Sequence, residues 1–125
     1  MNALDQAQMA YSSPAAPVKT ARSTEHEALV SVTRAIKQAQ SGPGKNFKSL
    51  ATALYKNRQL WTIFAASVAD PENKLPETLR ANLFYLAEFT NHHTSLVLAG
   101  KADAEPLIEI NTSVMTGLRD GSIDK

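Results

Sequence analysis

The 125-residue chain contains no cysteine. Neither a disulfide framework nor a thiolate metal site can hold its fold, and a reducing compartment suits it. No apolar run approaches the roughly 18–20 residues needed to span a bilayer. The N-terminus has no basic segment leading into an apolar one, so a cleaved export signal is not expected. The expected location is therefore the cytoplasm, with no membrane attachment. No segment alternates with the period-two pattern of a strand, and no glycine-rich phosphate loop, nucleophile elbow or Ser/His/Asp pattern is recognisable. These absences point away from an enzyme and from any cofactor. Aromatic residues are sparse at 6%, with a single tryptophan, Trp61.

Charge is also missing from one place. Residues 28–69 contain six basic residues (Arg34, Lys37, Lys45, Lys48, Lys56 and Arg58) and no acidic one. The net charge of the whole chain is only +1, because residues 70–125 hold nine acidic residues against five basic ones. Such a distribution suits either an anionic partner for the middle segment or basic helix faces lying beside acidic ones.

What the sequence does contain is helical periodicity. Residues 1–21 read as a short helix, over 1–11, followed by a flexible linker around Ser12-Ser13-Pro14-Ala15-Ala16-Pro17. Residues 22–122 read as one helical bundle domain. Thr24-Glu25-His26-Glu27 matches a capping box, with Thr24 as N-cap, and Leu29, Val32, Ile36 and Ala39 follow as an apolar stripe. Ser41-Gly42-Pro43-Gly44 ends that helix. The next is predicted from Asn46, as N-cap, to about Ala69, with Phe47, Leu50, Leu54, Asn57, Trp61, Phe64 and Val68 on one face.

After a turn at residues 70–73, Pro76 suits the first position of a third helix, which runs to a stop at Gly100. Its stripe is Leu79, Asn82 or Leu83, Leu86, Phe89, His93 and Leu96. Asp103 caps a fourth helix whose face is Leu107, Ile110, Val114 and Leu118, and Gly121 ends it. The fold class is all-α: a small antiparallel bundle of four main helices plus a short N-terminal one.

Three groups of residues stand out. Asn57, Asn82 and Asn111 fall on or beside apolar stripes, where a buried amide must find partners. They form either a structural hydrogen-bonding layer or contacts to the backbone of a partner helix. Leu60, Trp61, Ile63 and Phe64 span about 160° of helical arc, wider than a surface helix needs, and Leu83-Phe84-Tyr85-Leu86 repeats the pattern. The arc is either central core or partly a docking groove rimmed by Arg58 and Arg80. The set Asn57, Arg58, Leu60, Trp61, Phe64, Arg80, Asn82, Phe84 and Asn111 is thus the candidate partner-binding surface. His92-His93 invites a metal reading, but adjacent helical positions point about 100° apart, and no metal site is expected.

Several ordered motifs carry a resemblance. They are Ala53-Leu54-Tyr55-Lys56-Asn57-Arg58-Gln59-Leu60-Trp61, the turn Asn73-Lys74-Leu75-Pro76, Leu79-Arg80-Ala81-Asn82-Leu83, and Leu107-Ile108-Glu109-Ile110-Asn111 with Gly117-Leu118. Ala10-Tyr11 and residues 22–27 add to it. On these the chain resembles the FlaF family of flagellar biosynthesis regulators. Ser67 departs from the pattern, which has an acidic residue nearby. The resemblance implies a cytoplasmic protein that binds flagellin as a secretion chaperone and promotes its synthesis and export for flagellum assembly. Alternatives are a regulator acting on flagellin mRNA through the basic segment, or an adaptor docking the sister regulator FlbT or the export apparatus. No recognisable RNA-binding motif supports the first alternative.

Overall fold

A computed structural model describes residues 21–41 and 46–120. The expected N-terminal helix, its linker, Gly121 and the Leu118 side chain lie outside what is described. Four helices follow in order: α1 Ala21–Gln40, α2 Phe47–Ala69, α3 Glu77–Leu98 and α4 Glu105–Asp120. No strand occurs among the described residues.

The ends of the helices follow local chemistry in most places. Asn46 has extended backbone, and its side-chain oxygen accepts from Lys48 N at 2.8 Å and Ser49 N at 3.4 Å, an N-cap. Gly100 adopts φ +74°. Its N–H donates to Val97 O, and that of Lys101 donates to Leu96 O, the paired bonds of a Schellman stop. Asp103 Oδ1 accepts from Glu105 N at 3.0 Å, but the N-cap position of α4 falls to Ala104, whose carbonyl accepts from Ile108 N, so Asp103 stands one residue ahead of its expected place. In the α2–α3 turn, Asn73 Nδ2 donates to Ser67 O at 3.0 Å and Asn73 Oδ1 accepts from Leu75 N at 2.9 Å. The Ser67 hydroxyl lies 3.3 Å from the same Asn73 amide nitrogen.

Two other boundaries differ from expectation. Thr24 and Glu27 lie inside α1, three and six residues beyond its first described residue. Ala21-Arg22-Ser23 contains no helix breaker, so a capping box farther along does not set the start. Pro76 is the N-cap of α3 rather than its first helical residue, because its ψ of 144° is still extended while its carbonyl already accepts from Arg80 N.

The helices run alternately up and down. One core cluster joins Leu29 of early α1, Trp61, Phe64 and Val68 of late α2, Leu83 and Ala87 of early α3, and Val114 of late α4. The second joins Ile36, Ala53, Leu54, Val97, Leu107 and Ile108, the opposite end of every helix. Only antiparallel neighbours produce that pairing. Around the bundle α1 touches α2 and α4, and α3 touches α2; the α3–α4 seam is the sparsest of the four.

Two expected core positions shift. Phe47 begins α2, belongs to neither cluster and is 64% exposed. On α3 the buried line is Leu83, Ala87, Thr90, Thr94 and Val97, about one residue round from the expected stripe. A stripe read from apolar size selects Leu86, Phe89, His93 and Leu96, all only half-buried. Packing selects the small side chains, which let α3 approach its neighbours closely.

Candidate partner-binding surface

Between the two core clusters lies a polar layer built around Asn111. The Trp61 Nε1–H donates to Asn111 Oδ1 at 2.8 Å. Because an indole nitrogen only donates, Asn111 must present its oxygen there. Its Nδ2 then faces Thr33 Oγ1 at 3.1 Å and Asn57 Oδ1 at 2.8 Å, and donates to both. The layer ties α1, α2 and α4 through side chains that are at most 3% exposed. On α3, Thr94 Oγ1 donates to the Thr90 carbonyl within the same helix. Two polar atoms buried at this level have no hydrogen-bond partner: Asn57 Nδ2 and Thr90 Oγ1.

The candidate residues divide by depth. Asn57, Leu60, Trp61, Phe64 and Asn111 are buried, so the wide arc on α2 belongs to the core, with the Phe64 ring edge-on to Trp61 at 5.3 Å. In this conformation a partner can reach Arg58, Arg80, Asn82 and Phe84. Asn57 and Asn111 meet directly, whereas Asn82 is exposed and takes no part in the layer. Arg80 reaches toward the Asp70 carbonyl at 3.5 Å, at the α2–α3 turn. Arg58 spans the α2–α3 seam: its Nη2 donates to Asn91 O at 2.9 Å and to Ser95 Oγ at 2.8 Å. Of the other basic residues in 28–69, Arg34, Lys37, Lys48 and Lys56 are exposed and divided between α1 and α2.

His92 is exposed, while His93 stacks on Phe89 at 5.4 Å and its Nε2 lies 2.8 Å from the Asp103 carbonyl oxygen. The pair therefore points to different surroundings, as the spacing predicts.

Beside the Arg58 crossing, α2 and α3 enclose a cleft of about 190 Å³. Its deep wall is Trp61, Ala65, Ala87 and Thr90; its more exposed lining is Arg58, Thr62, Glu88 and Asn91. One turn from Arg58 toward the start of α2 sits Tyr55, 62% exposed. One turn from Glu88 toward the start of α3 sits Phe84, 40% exposed. Residues three and four apart share a helix face. Because the two helices are antiparallel, these aromatics stand at opposite ends of the cleft. Tyr85 is also exposed, about 100° round from Phe84.

Sequence reasoning named Arg58 and Phe84 but missed Ala65, Ala87 and Thr90. Small residues at helical spacing were the available signal, since they mark where helices meet closely.

A family model described as Flagellar protein FlaF matches residues 7–118. The chain belongs to the FlaF family. No curated protein and no solved structure is detectably similar to it. Membership makes this a flagellar protein, and it covers both the polar layer and the cleft. Among the described residues of this FlaF protein, no helix is long and apolar enough to cross a membrane.

Proposed function

We propose that this FlaF protein is a cytoplasmic flagellin chaperone that works by binding rather than by catalysis, with the α2–α3 face as its docking surface. The observation that carries the reading is a one-side-chain cleft flanked by two exposed aromatics, Tyr55 and Phe84, on a member of a flagellar family. Interfaces concentrate their energy in aromatic and arginine anchors around a small desolvated pocket. An amphipathic terminal helix of flagellin could lie along the α2–α3 seam and insert one side chain. Covering such a helix would shield its apolar face until export. Of the surface candidates, Arg58, Phe84 and Arg80 lie on or near this face and Asn82 does not, while the buried ones support it from below.

The test is a calorimetric titration of the purified full-length protein with flagellin, both intact and lacking its terminal helices. The reading expects saturable binding of intact flagellin only, weakened several-fold by Phe84→Ser in protein whose helicity and unfolding midpoint are unchanged. A dissociation constant weaker than about 100 µM for intact flagellin would refute it. Weight would then pass to FlbT, the export apparatus or flagellin mRNA as partner.

A further inference from the structure

The ring of helix contacts is open at one place. Helix α1 packs on α2 and α4, and α2 packs on α3, while the α3–α4 seam is sparse. One flank of α3 faces α2: Ala87 and Asn91 line the cleft there, and Asn91 and Ser95 accept from Arg58. Leu86, Phe89, His93 and Leu96 fall on the opposite flank, where His93 meets the Asp103 carbonyl of the α3–α4 loop. All four are half-buried. Leu86 and, from α4, Ile110 rest against the first core cluster. Phe89 and Leu96 pack against neither cluster of the described residues. The seam is therefore an apolar groove whose α3 wall, from Leu86 to Leu96, is about 15 Å long at 1.5 Å per residue.

The chain itself carries a segment of matching length and pattern. Residues 1–20 precede α1. In helical register Leu4, Ala7 and Tyr11 share one face, with Asn2, Asp5 and Gln6 on the other. Asp5 is the only charged side chain in residues 1–11, and it falls on the polar face. A helix over residues 1–11 is about 15 Å long, the length of the groove wall. The family match begins inside this segment, at residue 7.

Reach is sufficient. Leu29, Leu83 and Val114 share one cluster, so α1 starts at the end of the bundle where α3 also starts and α4 finishes. Residues 12–20 extend up to about 30 Å, and the seam lies within two helix spacings of α1, about 20 Å. A segment tethered this close is present at millimolar effective concentration, which an outside helix would have to exceed.

We propose that the α3–α4 seam is the docking groove of this chain's own residues 1–11, which lie in it as a fifth helix with Leu4, Ala7 and Tyr11 inward. The segment covers Phe89 and Leu96 and leaves the α2–α3 face to an outside partner. The inference does not depend on which partner that is.

The experiment uses the full-length protein, which has no cysteine, so an introduced pair holds its only thiols. Two variants carry Ala10→Cys, one together with Asn82→Cys and the other with Phe84→Cys. Both partner positions are exposed near the start of α3, Asn82 on the α4 flank and Phe84 on the α2 flank. None of these changes touches a buried residue of the described bundle. Each variant is treated with a short bismaleimide, and the linked peptides are followed by mass spectrometry. The Asn82 pair should link within one molecule at least about tenfold faster than the Phe84 pair, whereas a tether that never docks gives the two pairs similar rates. Adding Leu4→Asp should abolish the difference, and Gln6→Asp on the polar face should preserve it.

Equal rates for the two pairs would overturn the proposal, and if purified flagellin then shields the thiol at position 82 from reagent, flagellin is the occupant instead. Links formed chiefly between molecules would also overturn it, in favour of a second copy of the chain. A rate difference that survives Leu4→Asp would overturn the docking face assigned to the segment.

Discussion

Asn111 accepts one hydrogen bond and donates two, all inside the bundle. In Asn111→Ala the Trp61 Nε1–H and Asn57 Oδ1 lose their partners, while the Thr33 hydroxyl can rotate toward another acceptor. Each stranded buried group costs about 1–3 kcal/mol. The missing volume adds about 1 kcal/mol of cavity cost, and about 4 kcal/mol is expected in all. Against a total stability of about 5–15 kcal/mol for a small domain, that is a large fraction. With a urea slope near 2 kcal/mol/M, the midpoint should fall by about 2 M. Trp61, the chain's one tryptophan and 1% exposed, is the natural probe, because its emission reports both unfolding and loss of the layer. Asn57→Leu is the informative companion. It removes an amide whose Nδ2 already lacks a partner but strands one of the two Asn111 N–H donors, and as these effects largely offset it should cost about 1 kcal/mol. In the Asn111→Ala background it should recover about 1–2 kcal/mol by removing the stranded Oδ1. A loss below about 1 kcal/mol for Asn111→Ala, or strict additivity of the pair, would refute the account of a single connected layer.

Other expectations follow from the helix ends and the α2–α3 crossing. Asn46→Ala should destabilise by about 1 kcal/mol, since Lys48 N and Ser49 N lose their acceptor at the start of α2; chemical denaturation measures it. Gly100→Ala should cost about 1 kcal/mol from φ +74° alone, because an added Cβ would meet nothing within 4 Å. Gly100→Asn should recover part of that loss in the same assay. Arg58→Met should cost about 1–2 kcal/mol by releasing Asn91 O and Ser95 Oγ, with faster amide exchange concentrated in the second half of α3.

The helices themselves were legible because their signals are local. Asn46 followed by an apolar stripe, and Gly100 after another, fix ends through backbone hydrogen bonds that the sequence announces. Thr24 shows the limit, since a capping box is a preference and not a stop. The polar layer was partly legible: Asn57 and Asn111 interrupt apolar faces, and the structure joins them. Asn82 interrupts a face in the same way but lies on the wrong side of α3, because the α3 stripe was read one residue out of phase. That phase depends on which side chains permit close approach, and Ala87, Thr90 and Thr94 acquire their meaning only against α2 and the rest of the bundle. Trp61 looked like a docking residue because its arc is wide; the width arises because the residue serves both the core cluster and the polar layer.

The asymmetry of that layer accounts for where the cleft lies. Thr33, Asn57, Trp61 and Asn111 bind α1, α2 and α4 through three side-chain hydrogen bonds among themselves. Helix α3 has no bond to this network; it is held instead by apolar contacts, by Arg58 at the seam and by His93 against the Asp103 carbonyl. The α2–α3 contact is therefore made through small residues, with an unsatisfied threonine among them. A bundle designed only for stability would place an aliphatic side chain at position 90, which would fill the wall without leaving a hydroxyl unpaired. Thr90 Oγ1 has no partner within the bundle, so its burial costs stability. Thr90→Val tests that cost by chemical denaturation: an unfolding midpoint unchanged or raised is expected, and a fall worth more than about 1 kcal/mol would refute the account.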